Sequence, residues 1–197
     1  FDTDAWLNYW YAVALKPTDP LSAEMYLDKS YQQFVLNRDA EGIYLSWQAA
    51  VESIILSWHD FSKLGMWISR FDELRETNPG RTSIDIKAQF YATAIQALSV
   101  YDPQRTWLKN LLKISEHLIH IIPIKKIKLA LAVQLGTYYL FTCQLAKTKT
   151  ISHFLEIALD EKKIPPLLRI TSAFFLGLQK LYAADAKSAL NFFYQGL

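Results

Sequence analysis

The sequence predicts an all-α fold, a right-handed superhelical solenoid of about five helix pairs, and three observations carry that prediction. A triple of mostly small or apolar residues at i, i+4 and i+7 recurs five times: Ala23/Leu27/Ser30, Leu64/Ile68/Phe71, Leu108/Leu112/Ser115, Ile151/Leu155/Ala158 and Ala189/Phe193/Gly196. That spacing puts each triple on one helix face. Each triple follows a second segment of helical periodicity, and the first members recur every 38 to 44 residues, as stacked helix pairs require. No alternating run bounded by turn signals argues for a strand.

The first pair is predicted from about Asp4 to Leu15 and from Ser22 to Leu36, with Pro17 and Pro20 interrupting the chain between them, because proline lacks the amide hydrogen and clashes with the preceding turn. Asn37-Arg38-Asp39 reads as a polar turn. From Glu41 to Trp58 the residues Ile43, Tyr44, Trp47, Ala50, Val51, Ile54, Ile55 and Trp58 follow helical spacing and predict a wide buried stripe. Asp60 is placed as N-cap of the helix that presents Leu64, Trp67, Ile68, Phe71 and Leu74. Asn78-Pro79-Gly80 is the strongest stop signal.

The third pair spans about Ile84 to Val100 and Gln104 to Ile121, and the fourth about Lys125 to Leu145 and Ile151 to Asp160. Pro166 suits the first turn of a helix running to about Tyr182, and Asp185 opens the last helix.

At 197 residues the chain suits one repeat array over 1–197 and can bury a continuous core without staples. It begins at Phe1 and stops at Leu197 inside the fifth pair, so the expectation is a segment of a longer protein, since a solenoid usually closes with a polar capping element. One cysteine, Cys143, cannot form an internal disulfide, which favours a cytoplasmic setting. In the apolar fourth-pair helix it reads as a small buried hydrophobe. Leu129 to Ala146 is uncharged but contains Gln134, Thr137, Thr142 and Gln144, and a buried solenoid helix describes it better than a membrane span.

The net charge of +2 hides a partition: residues 1–102 carry 8 Lys+Arg against 14 Asp+Glu, and residues 103–197 carry 13 against 5. Such halves either steer partners and self-association or reflect an uneven solvated surface.

The small/apolar spacing is similar to the second-helix signature of tetratricopeptide repeats, with Leu7 and Trp10 at matching first-helix places and Tyr11 where that family has glycine. The stretches Ala23 to Phe34, Asp39 to Trp47 and Trp58-His59-Asp60-Phe61 resemble the longer helix pairs of large bacterial transcriptional activators, the LuxR-type ATP-dependent regulators and the bacterial transcriptional activator domain. That resemblance implies a TPR-like, non-enzymatic sensing arm that binds a protein, a peptide or a small inducer on a concave face. The residues themselves predict no cofactor and no direct nucleic-acid or membrane contact by this segment, and a homo-oligomer is compatible with them. The alternative is a freestanding scaffold that self-assembles through its oppositely charged halves.

Stacked first helices line the concave surface in such arrays. On them the polar residues Asn8, Ser46, Ser53 and Ser57, Gln89, Thr93 and Gln96, then Gln134, Thr137 and Tyr138 form either a binding groove or a solvated outer face. Trp6, Trp10, Trp47, Trp58 and Trp67 serve core packing or a cleft. Glu116, His117 and His120 share one helical turn, but two imidazoles and a carboxylate without H-E-x-x-H or Cys/His spacing are not a metal site. Lys125, Lys126, Lys128, Lys147, Lys149, Lys162, Lys163 and Arg169 are the one cationic concentration, without the interleaved aromatics that nucleic-acid binding uses. Neither a phosphate-binding glycine loop nor a nucleophile elbow occurs.

Overall fold

The computed structural model describes residues 4–77, 80–159 and 164–196, and it is all-α. Among these residues there are ten α-helices and one 3-10 turn at Phe61–Lys63. The chain forms two compact units that meet in sequence at 108/109. The first contains α1 (Ala5–Leu15), α2 (Pro20–Asn37), α3 (Ala40–Ser57), α4 (Leu64–Thr77) and α5 (Ile84–Tyr101). The second contains α6 (Leu108–Ile121) from Lys109 onward, α7 (Lys125–Phe141), α8 (Leu145–Leu159), α9 (Pro166–Tyr182) and α10 (Ala186–Gln195).

Capping side chains explain where most helices of the first unit start. Asp4, Asp19, Asp39 and Ser83 accept from the amides of Leu7, Ser22, Gly42 and Ile86, and Asp185 does the same for Ser188 in the second unit, satisfying donors that a helix start leaves without partners. Asp60 caps the 3-10 turn through Ser62, one step before α4. Pro20 opens α2 rather than interrupting the chain, because the missing amide of a first-turn proline is not needed there. By contrast Ile124, at the capping position before α7, supplies no side-chain cap, and Lys125 and Lys126 fall in the first turn. Asn78 and Pro79 of the stop signal, like Asp160, Lys162 and Lys163, lie outside the described residues.

Three corners share one device. Arg38, Cys143 and Ala184 have φ of 55°, 58° and 59°, and the following amide returns to a carbonyl five residues back: Asp39 to Phe34 at 3.0 Å, Gln144 to Tyr139 at 2.8 Å and Asp185 to Lys180 at 2.9 Å. This is a Schellman closure built without glycine. It corrects the expectation for Cys143, which is exposed at the α7–α8 corner rather than buried in a helix. For the same reason α7 stops at Phe141 and α8 begins at Leu145, not Ile151. A left-handed conformation costs an ordinary L-residue about 1–2 kcal/mol, only partly offset by glycine's larger unfolded-state entropy. Ala184→Gly is therefore expected to stabilise the protein by about 0.5–1 kcal/mol, read as a higher urea midpoint; a lower midpoint means the corner is unstrained.

In the first unit α3 packs against α1, α2, α4 and α5, which puts α3 beside both α1 and α5. Its core is an aromatic ladder. Arg75 covers the Trp107 ring at 4.4 Å, Trp107 stacks on Phe71 at 4.7 Å, Phe71 stacks on Phe90 at 4.8 Å, and Phe90 meets Trp47 edge-on at 4.7 Å. The triples Ala23/Leu27/Ser30 and Leu64/Ile68/Phe71 are buried, as the pattern predicts.

In the second unit α7 packs on α8 and α9, and α9 on α10. The triples at Ile151 and, within this unit, Leu112/Ser115 are buried, whereas only Ala189 of the last triple is fully enclosed. Gly136 lets α7 and α9 approach closely: a Cβ there would lie 2.7 Å from the Phe175 ring. Among the described residues no helix is long and apolar enough to cross a membrane.

Candidate functional site

A cleft of about 310 Å³ lies between α6, α7 and α8, entirely within the second unit. One wall is a single stripe of α7, namely Lys128, Ala132, Leu135 and Tyr139, whose spacing of i, i+4, i+7 and i+11 keeps one helix face toward the opening. The facing wall is Lys147, Thr150, Ile151 and Phe154 of α8, and α6 adds Glu116, Ile119 and His120. Lys147 sits 4.5 Å over the Tyr139 ring and Lys128 sits 5.2 Å over the Phe154 ring, so the two helices run antiparallel along the cleft. Its length from Lys128 to Tyr139 is about 16 Å at 1.5 Å per residue.

The two ends differ in chemistry. At one end the Tyr139 hydroxyl donates to Glu116 Oε1 at 2.6 Å, and Lys147 Nζ donates to the same oxygen at 2.8 Å. Glu116 thereby has its charge matched. At the other end Lys128 makes no ion pair with the described residues; its recorded contact is the Phe154 ring. Between them Leu135 and Ile151 are buried and Ile119 is half-buried, giving an apolar floor.

Burial would raise the Glu116 carboxyl, but hydrogen bonds from Lys147 and Tyr139, helped by the Lys147 and Lys113 charges, hold it below the ordinary carboxylate range. Burial, then the bond to Glu116, pushes the Tyr139 phenol well above its ordinary value. A depressed carboxylate contributes stability above the unfolded value of about 4.3 and loses it as pH falls through the folded value. A raised phenol contributes below about 10 and loses its contribution as pH climbs beyond that. Glu116→Gln is accordingly expected to flatten the acid limb of the stability profile, read by urea unfolding between about pH 3 and 7. An unchanged limb would mean the cluster does not form in solution.

No family model, curated protein or solved structure matches the chain. Its chemistry is therefore read from its own residues.

The polar first-helix residues separate into two groups. Asn8, Ser46, Ser53 and Thr93 are buried and do not form a solvent-facing lining. Their donor groups are spent internally: Asn8 donates to the Asp4 carbonyl and Gln33, Ser46 to the Gly42 carbonyl at 2.7 Å, Ser53 to the Pro20 carbonyl at 3.4 Å and Thr93 to Glu52 Oε1 at 3.5 Å. Small hydroxyls can bond back to the preceding turn, so polarity alone does not put them in water. Gln89, Gln96, Gln134 and Tyr138 are half-buried, as are Ser57 and Thr137, and none of these six lines the α6–α8 cleft.

The other candidates also separate. Trp47 and Trp67 are core residues, whereas Trp10 and Trp58 are 58% and 79% exposed. Glu116, the one carboxylate beside His117 and His120, is engaged by Tyr139 and Lys147, and among the described residues no His/Cys/Asp/Glu group is arranged to hold a metal. Lys128 and Lys147 were visible only as part of a cationic run; their shared cleft was not. The signal that could have found it is the stripe Lys128/Ala132/Leu135/Tyr139, a lysine and a tyrosine at the two ends of one apolar helix face.

Proposed function

We propose that the chain is a non-enzymatic sensing and interaction module of a bacterial transcriptional or signalling regulator, a TPR-like solenoid that takes its ligand in the cleft between α6, α7 and α8. The single observation that carries ligand reception is the cleft itself: concave, floored with apolar side chains and bounded by a few fixed polar groups, as small-molecule and peptide sites are. The regulatory setting is supported by the helix-pair periodicity and the resemblance it carries. The occupant, a small inducer or a peptide side chain, shifts the packing of α7 against its neighbours and so biases a linked module.

Methyl NMR of the 197-residue chain with a library of small fragments tests the reading. Shifts are expected to collect on Ile119, Leu135 and Ile151, and to vanish in Thr150→Trp, which places an indole at the mouth from an exposed position. Shifts confined to other surfaces, or none, count against the cleft.

A second reading has its own observation. The two compact units carry opposite net charge, with 9 Lys+Arg against 14 Asp+Glu in residues 1–108 and 12 against 5 in residues 109–197. A scaffold that self-assembles through these units would lose mass in light scattering as salt screens the attraction. A mass independent of salt removes that reading.

A further inference from the structure

We propose that the ligand of the α6–α8 cleft is an elongate amphipathic monoanion: an apolar chain or ring system lying along α7, with one carboxylate head at the Lys128 end. This rests on the cleft being a ligand site and adds the class of its occupant.

Size sets the first limit. A 150 Å³ apolar cavity accepts benzene, so the cleft of about 310 Å³ suits roughly a dozen non-hydrogen atoms. Its middle is apolar, through Ile119, Leu135 and Ile151, and offers little to a sugar or a nucleotide.

Charge sets the second. Three basic side chains line the cleft, Lys128, Lys147 and His120, against one acid, Glu116. Lys147 and Glu116 satisfy each other at 2.8 Å, which leaves Lys128 as the cleft cation that, among the described residues, meets an aromatic face rather than a carboxylate.

Backbone orientation adds to this end. Lys128 is in the first turn of α7, where no side chain caps the helix start, and the aligned peptide dipoles of a helix favour an anion at its N-terminus. Lys126 of the same turn reinforces the sign. A cationic ligand would instead have to displace Lys147 from Glu116, because that carboxylate is already bonded.

Calorimetric titration and methyl NMR with decanoate, decan-1-ol and decylamine, each below its aggregation threshold, test the class. Decanoate is expected to bind with shifts on Ile119, Leu135 and Ile151, and Lys128→Gln to weaken it about tenfold while leaving decan-1-ol unchanged. Thr150→Trp is expected to remove decanoate binding while retaining the wild-type helical circular dichroism. Equal binding of acid and alcohol, with no effect of Lys128→Gln, overturns the anion while the cleft stands as a ligand site. Preference for decylamine overturns it in the same way and makes Glu116 the head-group partner. Decanoate binding that survives Thr150→Trp overturns the location. Absence of shifts at the cleft with both the three probes and the fragment library overturns both the class and the cleft.

Discussion

Trp47→Ala is expected to destabilise the first unit by about 3–5 kcal/mol, the range for emptying a large aromatic site. The indole is fully enclosed, lies 4.7 Å from the Phe90 ring and 5.4 Å from Phe71, and donates through Nε1 to the Trp67 carbonyl at 2.7 Å. The deletion removes transfer energy, leaves a cavity among rings held by their own stacking, and loses a buried hydrogen bond of about 0.5–1.5 kcal/mol. Trp47→Phe keeps a ring in place and should cost roughly half as much. Urea unfolding followed by circular dichroism measures both; a cost below about 1 kcal/mol for the alanine variant would deny the indole its place in the core.

Gly42→Ala sets two effects against each other. Alanine is a better helix residue than glycine by about 1 kcal/mol in an interior position, and Gly42 belongs to the first turn of α3, where that gain is smaller. Against it, a Cβ at Gly42 would fall 2.2 to 2.4 Å from three atoms of the Phe34 ring. Phe34 is 1% exposed and has Trp6 edge-on at 4.8 Å, so the ring has nowhere to go. Overpacking of this kind costs about 1–3 kcal/mol or more, and a net loss of about 1–2 kcal/mol is expected. The double variant Gly42→Ala with Phe34→Leu should recover part of that loss in the same unfolding assay. A stabilised Gly42→Ala would show that α2 and α3 can separate at this point.

These two positions also show what the sequence made legible. Trp47 belongs to an uninterrupted apolar stripe, so its burial follows from periodicity, as does that of Leu64, Trp67, Ile68, Phe71 and Leu74 on α4. The start of α9 is readable because Pro166 supplies a first-turn signal. The corner at Cys143 was not, since a left-handed residue other than glycine leaves no compositional mark. The same silence misplaced the junction of α7 and α8.

The candidate site divides along similar lines. By periodicity alone the serines and threonines on first helices suit either a groove or a solvated outer face, yet Ser46 and Ser53 bond to carbonyls and are enclosed. The cluster of Glu116, Tyr139 and Lys147 joins residues 31 positions apart at its ends, a separation that helical periodicity does not encode. The partition of charge was legible, because the change of sign near residue 102 falls close to the boundary between the compact units at 108/109.

The bare start of α7 has a consequence for how the second unit breathes. Amides at the beginning of a helix exchange their hydrogens when the first turn opens, and a side-chain cap holds that turn closed. The first turns of α1, α2, α3 and α10 each have an aspartate across them, whereas that of α7 has neighbouring lysine charges and no cap. Its amides should therefore be among the first in the protein to take up deuterium. An anion seated beside Lys128 would slow them, so the exchange rate at residues 125–128 is a built-in gauge of whether the cleft is occupied.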